Sequence, residues 1–228
     1  MLHERDVELL CEGRHPDPFG VLGPHARADG SVWLAAFLPG AERVSAVDAG
    51  GVARLAELQP RGAHGLFEGA LPAPSPYRLQ IDWQGGQRSL LDDPYRFGPV
   101  LGEIDAWLLG EGSHLRPFEV LGSMPREQEG VAGCSFAVWA PNAMRVSVVG
   151  DFNFWDGRRH PMRLRRECGV WEIFVPGVGA GARYKYELLG RDGQLLPQKV
   201  DPYARQAELR PATASVVTHL PPVQPPSA

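Results

Sequence analysis

An all-β fold of two tandem β-sandwich domains with short connecting helices is predicted by three observations. Apolar and polar residues alternate in short runs, as in Arg145-Val146-Ser147-Val148, the period of a strand with one face buried. The 27 glycines and 22 prolines are spread through 228 residues and cut the chain into short segments with frequent turns. The second half also echoes the first. His15-Pro16-Asp17-Pro18-Phe19-Gly20-Val21-Leu22-Gly23 returns as His114-Leu115-Arg116-Pro117-Phe118-Glu119-Val120-Leu121-Gly122.

Four further echoes follow in the same order. Phe37 to Val47 matches Trp139 to Val149, Gly65-Leu66-Phe67-Glu68 matches Gly169-Val170-Trp171-Glu172, Tyr77-Arg78-Leu79 matches Tyr184-Lys185-Tyr186, and Asp93-Pro94-Tyr95 matches Asp201-Pro202-Tyr203. Ordered matches with small insertions indicate a duplicated unit of about a hundred residues, the size of an immunoglobulin-like sandwich.

Ahead of the first copy, Val7, Leu10 and Cys11 stand at helical spacing and predict a short helix over residues 3–12. Each copy then reads as an opening Val-Leu-Gly strand, a strand pair around Ala or Leu before Pro39 or Pro141, a Gly-aromatic-Glu strand, a tyrosine strand and an Asp-Pro-Tyr turn. The two prolines mark bends or edges, because proline cannot donate to a central ladder. Residues 102–110 predict a connecting helix with Ile104 and Leu108 on one face. The division is expected near Gly112, giving domains 1–112 and 113–220, followed by a proline-rich linker or tail over 221–228.

The net charge of −4 argues against a nucleic-acid or anionic-membrane partner, since both require a basic surface. A neutral ligand is compatible. The charged start Met1-Leu2-His3-Glu4-Arg5-Asp6 does not read as a signal peptide, and three cysteines without metal-type spacing read as reduced structural thiols, so a cytoplasmic location is expected. No cofactor or metal is implied.

The chemistry concentrates in Phe152-Asn153-Phe154-Trp155-Asp156-Gly157. A turn needs Asp-Gly but not three large rings. Trp155 can lay an indole face against a sugar ring, Asn153 can bridge adjacent hydroxyls, and Lys185, opposite Tyr184 and Tyr186 on its strand, can donate to another. The competing explanations are that the rings fill the core and that Lys185 is merely solvated. Alternation puts Phe152 and Phe154 on one face, expected to be core, and Trp155 on the other. Arg158, Arg159, Arg163, Arg165 and Arg166 are expected to guard a hairpin edge. His15 and His114 are read as a duplicated structural site. Asp151, Asp156 and Glu172 form no recognisable catalytic pair. No catalytic residues are assigned.

The run Val148 to Met162, with Gly169 to Gly177, Tyr184-Lys185-Tyr186-Glu187 and Asp201-Pro202-Tyr203-Ala204, resembles the amino-terminal region of bacterial glycogen (1,4-α-glucan) branching enzymes. The first copy, through Asp17 to Gly23 and Asp93-Pro94-Tyr95-Arg96-Phe97, is similar to the extra amino-terminal module of the longer members. The resemblance implies that the second copy is a carbohydrate-binding module of family 48 preceding a catalytic (β/α)₈ barrel of the α-amylase superfamily. It thus implies α-1,4-glucan or glycogen and that barrel as partners. No barrel motif occurs in this sequence, so the chain by itself is expected to be inactive as a glycosyltransferase. The resemblance assigns glucan contacts to Trp155 and Lys185 and a second Trp after a Gly-Gln turn, where this chain has Leu195. In the first copy Asp48-Ala49-Gly50-Gly51 replaces the aromatic loop. A stand-alone glycogen-binding regulatory or targeting module is the alternative reading.

Overall fold

The computed structural model describes residues 2–62 and 65–219, so the proline-rich 221–228 segment lies outside the described residues. Helix α1 (Glu4–Cys11) buries Val7 and Leu10 against Leu22, Ala35, Phe37 and Leu66. Seven strands follow: β1 (Gly23–Ala26), β2 (Val32–Phe37), β3 (Ala41–Asp48), β4 (Arg54–Arg61), β5 (Leu66–Leu71), β6 (Tyr77–Trp83) and β7 (Arg88–Leu91). They run in the order β1-β2-β5-β4-β3-β6-β7. The order is continuous because β4 changes layer: Ala56 and Leu58 pair with β3, whereas Gln59 to Arg61 pair with β5. The two layers close over Leu34, Val44, Leu58, Phe67, Leu79 and Ile81.

The second unit repeats this plan. Helix α2 (Glu103–Gly110) precedes β8 (Gly122–Gln128), β9 (Val131–Trp139), β10 (Arg145–Gly150), β11 (Arg163–Arg165), β12 (Val170–Pro176), β13 (Arg183–Leu189), β14 (Gln206–Ala207) and β15 (Ser215–Val216). Two sheets, β11-β12-β9-β8 and β10-β13-β15-β14, face each other across Phe136, Val146, Val148, Trp171, Ile173, Tyr184 and Tyr186. The layer change recurs as well. Val148 N donates to His160 O at 3.2 Å and Met162 N to Val146 O at 2.8 Å, after which β11 pairs with β12.

The duplicated residues make duplicated contacts. Tyr77 Oη donates to Asp93 Oδ2 at 2.6 Å and Tyr184 Oη to Asp201 Oδ2 at 2.5 Å, and burial pushes both carboxyls above their ordinary range. Glu68 accepts from Leu2 N at 3.0 Å, and Glu172 from Leu101 N at 2.6 Å. His15 Nε2 lies 3.3 Å from Asp6 Oδ1 and His114 Nε2 lies 3.0 Å from Asp105 Oδ1. The opposite ring nitrogens accept from Asp17 N and Arg116 N. With Nδ1 so engaged the proton belongs on Nε2, and each histidine ties its helix to the following loop.

One expectation is corrected and two are extended. On α2 the buried face is Ala106 with Leu109, whereas Ile104 is 75% exposed. Ala106 and Leu109 pack with Leu121, Ala137 and Val170 of the second unit, so the helix stands to that unit as α1 stands to the first. We infer that the second repeat begins ahead of α2, since α2 packs on its unit as α1 does. The arginine-rich segment does include an edge strand, β11, but three of its arginines are engaged with carbonyls. Arg159 Nη2 donates to Pro39 O at 2.6 Å, Arg163 Nη2 to Phe97 O at 3.0 Å and Arg165 Nη1 to Leu101 O at 2.8 Å. Phe97 also packs edge-on against Phe174 at 4.8 Å between centroids. Charged donors on carbonyls are among the stronger hydrogen bonds, so Arg159 and Arg163 fasten one sandwich to the other, while Arg165 holds the stretch leading into α2.

Candidate functional site

After β10 the chain makes a 3-10 turn over Asp151–Asn153, and then Phe154 and Trp155 both adopt left-handed backbone, at φ 58° and 60°. Two consecutive bulky residues in that region are strained, and the reversal ends the strand alternation on which the sequence reading relied. Phe152 stays inside, stacked on Phe136 at 5.9 Å. Phe154 does not: its side is solvent, with 79% exposure, contrary to the core position expected.

Asn153 is also placed otherwise than a sugar contact requires. It is 1% exposed and its amide is spent within the loop. Oδ1 accepts from Gly150 N at 2.9 Å, and Nδ2 donates to Val148 O at 2.9 Å and to His160 Nδ1 at 2.8 Å. The loop's far limb is clamped from below. Arg145, buried in the β10–β13 sheet, donates to Gly157 O at 2.7 Å and to Glu187 Oε1 at 2.6 Å. A Cβ at residue 157 would overlap the Glu187 carboxylate and displace it from Arg145.

His160 accepts from Asn153 only when its Nδ1 is unprotonated. Burial, helped by Arg159, pushes its pKa down to about 4. A depressed histidine contributes stability in full above its unfolded value of about 6.5, and that contribution is lost as pH falls toward the folded value. The unfolding temperature of His160→Gln should therefore lie below that of the parent at pH 7, and the gap should narrow by pH 4. Calorimetry at pH 7, 5.5 and 4 reads this directly, and a constant gap would remove His160 from the loop's proton linkage.

Trp155 and Lys185 come to one surface. Trp155 Nε1 donates to Asp151 Oδ1 at 3.2 Å, and Asp151 is held by Arg183 through Nε at 2.7 Å and Nη2 at 3.1 Å. Hydrogen bonding from Arg183 holds the Asp151 carboxyl below the usual range. Arg183 shares an outer strand face with Lys185, two residues along β13, while Tyr184 and Tyr186 point into the core. Lys185 Nζ donates to Thr213 Oγ1 at 2.8 Å, leaving two ammonium protons for a ligand. Arg183 further reaches Glu208 Oε1 at 3.3 Å. Asp151 was weighed only as a catalytic carboxylate, and Arg183 and Thr213 carry no motif in the sequence. Arg183 was accessible to the period-two rule, whereas Thr213 lies in a loop whose position no local pattern reports.

Leu195 pairs opposite Leu189, at the far end of β13 from Arg183, roughly 20 Å along the strand. The carboxylates weighed for catalysis have other work. Glu172 is fully buried, Asp151 is bound to Arg183, and Asp156 forms a bidentate pair with Arg158 at 3.0 and 2.8 Å.

Residues 3–95 match the family described as alpha-1,4-glucan branching enzyme GlgB, N-terminal domain, and residues 120–204 match carbohydrate-binding module 48 (isoamylase N-terminal domain). The chain is 54% identical over 220 residues to the 1,4-alpha-glucan branching enzyme GlgB of Paramagnetospirillum magneticum, covering 96% of this chain and 29% of that protein. The chain belongs to the branching-enzyme family, as its amino-terminal region. The corresponding enzyme of Rubrobacter xylanophilus is 53% identical over 220 residues, covering 96% of this chain and 30% of the relative. GlgB 1 of Xanthomonas euvesicatoria is 56% identical over 213 residues, covering 92% and 28%. The chain thus spans about 30% of the length of the branching enzymes it matches. A pullulanase from Anoxybacillus sp. LM18-11, complexed with maltotetraose, covers 86% of this chain and 26% of its own at 17% identity and a TM-score of 0.37, a likeness too low to bear on the site. Trp155 and Lys185 of this branching-enzyme region both lie within the stretch matching module 48.

Proposed function

We propose that the region is a non-catalytic part of a glycogen branching enzyme that binds α-1,4-glucan through Trp155 and Lys185 and docks on a catalytic (β/α)₈ barrel. The observation that carries the reading is the joint placement of the indole and the ammonium on the outer face of the β10–β13 sheet, linked through Asp151 and Arg183. A stacking face beside a cluster of fixed donors and acceptors suits a neutral polyhydroxylated ring. Asn153 is removed from the proposed contacts, because its amide has no free hydrogen-bonding group to offer. A cytoplasmic location belongs to the same proposal, supported by Cys11, Cys134 and Cys168 all being free thiols.

The test is retardation of the isolated chain in gels containing glycogen or amylose, with iodine staining of the same amylose to detect branching. Trp155→Ala should weaken retardation at least about fivefold, the loss of roughly 1 kcal/mol of ring stacking. Lys185→Ala should weaken it less, and iodine colour should not change. Retardation indifferent to Trp155→Ala would overturn the binding site, and branching by the isolated chain would overturn the non-catalytic role.

A further inference from the structure

We propose a second α-glucan site in the cleft between the two sandwiches, built on Trp83 of the first and Phe154 of the second. The proposal rests on the glucan reading of the module but not on the Trp155 surface. The cleft has a volume of 730 Å³, within the range of sites that hold small ligands. Its walls are the β6–β7 hairpin of the first unit, the loop carrying Phe154 to His160, and the turn from Pro176 to Val178.

Two features of this cleft carry a cost in stability. Phe154 holds a left-handed backbone at φ 58°, which costs a non-glycine residue about 1–2 kcal/mol, and it spends that strain on presenting a large ring to water. Arg159 lies between the two aromatics, its Cζ 5.2 Å from the Phe154 ring centre and 5.8 Å from that of Trp83. One guanidinium nitrogen is used on Pro39 O, and the buried Nε lies 3.9 Å from Asp156 Oδ2, too far for a hydrogen bond. An unmet donor between two ring faces asks for an acceptor oxygen carried on an apolar ring edge.

The remaining chemistry selects a neutral ligand. Gln84 and Gln87 line the cleft and are exposed, supplying amides that donate and accept. Arg78 is paired with Asp92 at 3.3 Å on the same wall, so the cleft carries compensated charge and offers no clear anion field. Apolar faces, amides and a desolvated guanidinium together fit a short gluco-oligosaccharide, whose rings have C–H faces and hydroxyl rims. Phe154 and Trp155 are adjacent, yet Phe154 turns to Arg159 and the cleft whereas Trp155 turns to Asp151 and Arg183. One strained turn thus serves two surfaces.

The experiment uses the 228-residue chain and maltotetraose, followed by calorimetric titration. Trp155→Ala should retain saturable binding, and adding Phe154→Gly should weaken that residual binding at least tenfold. Glycine suits the positive φ, so folding is preserved, and an unchanged unfolding temperature verifies it. Trp83→Leu in the Trp155→Ala background should give the same loss. The cleft proposal is overturned if Trp155→Ala alone abolishes binding, or if neither Phe154→Gly nor Trp83→Leu alters what remains. If Trp155→Ala binds as the parent does while Phe154→Gly abolishes binding, the cleft stands and the Trp155 reading fails.

Discussion

Asn153→Ala should destabilise the second sandwich by about 2–5 kcal/mol and disable the Trp155 surface at the same time. The side chain answers the Gly150 N–H and the Val148 carbonyl, both inside the loop, and its removal strands a donor and an acceptor. Each unsatisfied buried group costs about 1–3 kcal/mol. For a chain of this size the unfolding temperature falls about 2–4 °C for each kcal/mol, so a loss on the order of 10 °C is expected in a thermal melt. Glucan retardation should fall as far as in Trp155→Ala, although Asn153 touches no ligand. Asn153→Asp, which keeps an acceptor for Gly150 N but faces the Val148 carbonyl with another oxygen, should lie between. A loss below about 1 kcal/mol for the alanine variant would mean that the loop is held without its amide.

Glu172→Ala should have the larger effect on the stability of the second sandwich. Glu172 is fully buried on β12, accepts from Leu101 N, and lies 3.5 Å from Arg165 and 3.7 Å from Arg163. Breaking a buried ion pair from one side typically costs 3–5 kcal/mol, because the surviving charge is left without compensation. Its equivalent Glu68 is near one guanidinium, that of Arg61 at 3.7 Å, which is itself more exposed. Glu68→Ala should accordingly cost less. Denaturant titration of both variants checks the ranking, and equal costs would show that the arginines between the sandwiches do not depend on Glu172.

The repeat was readable because it is carried by residues whose local roles are demanding. A tyrosine on a strand and an Asp-Pro-Tyr turn must meet in both copies, and they do so with nearly the same geometry. Alternation along β13 correctly separated Lys185 from Tyr184 and Tyr186, since a regular strand obeys it. The same rule failed a few residues earlier, where left-handed backbone at Phe154 and Trp155 exposes a ring expected inside, and Asn153 is drawn in. Nothing in the residue types announces that reversal, because neither is glycine or asparagine. The partners of Arg159, Arg163 and Arg165 were hidden for a different reason. They are main-chain carbonyls far away in sequence, and a carbonyl has no sequence signature.

That last feature bears on how two copies of one ancestor came to differ. Two of the bonds by which the second copy holds the first, to the carbonyls of Pro39 and Phe97, make no demand on side-chain identity, whereas Tyr95 and Phe97 also contribute their rings. The first copy can therefore carry Asp48-Ala49-Gly50-Gly51 in place of the aromatic loop and still be held by its neighbour. The constraint on the first copy is therefore uneven: positions held by their carbonyls tolerate any side chain, while positions that offer a ring to the second copy do not.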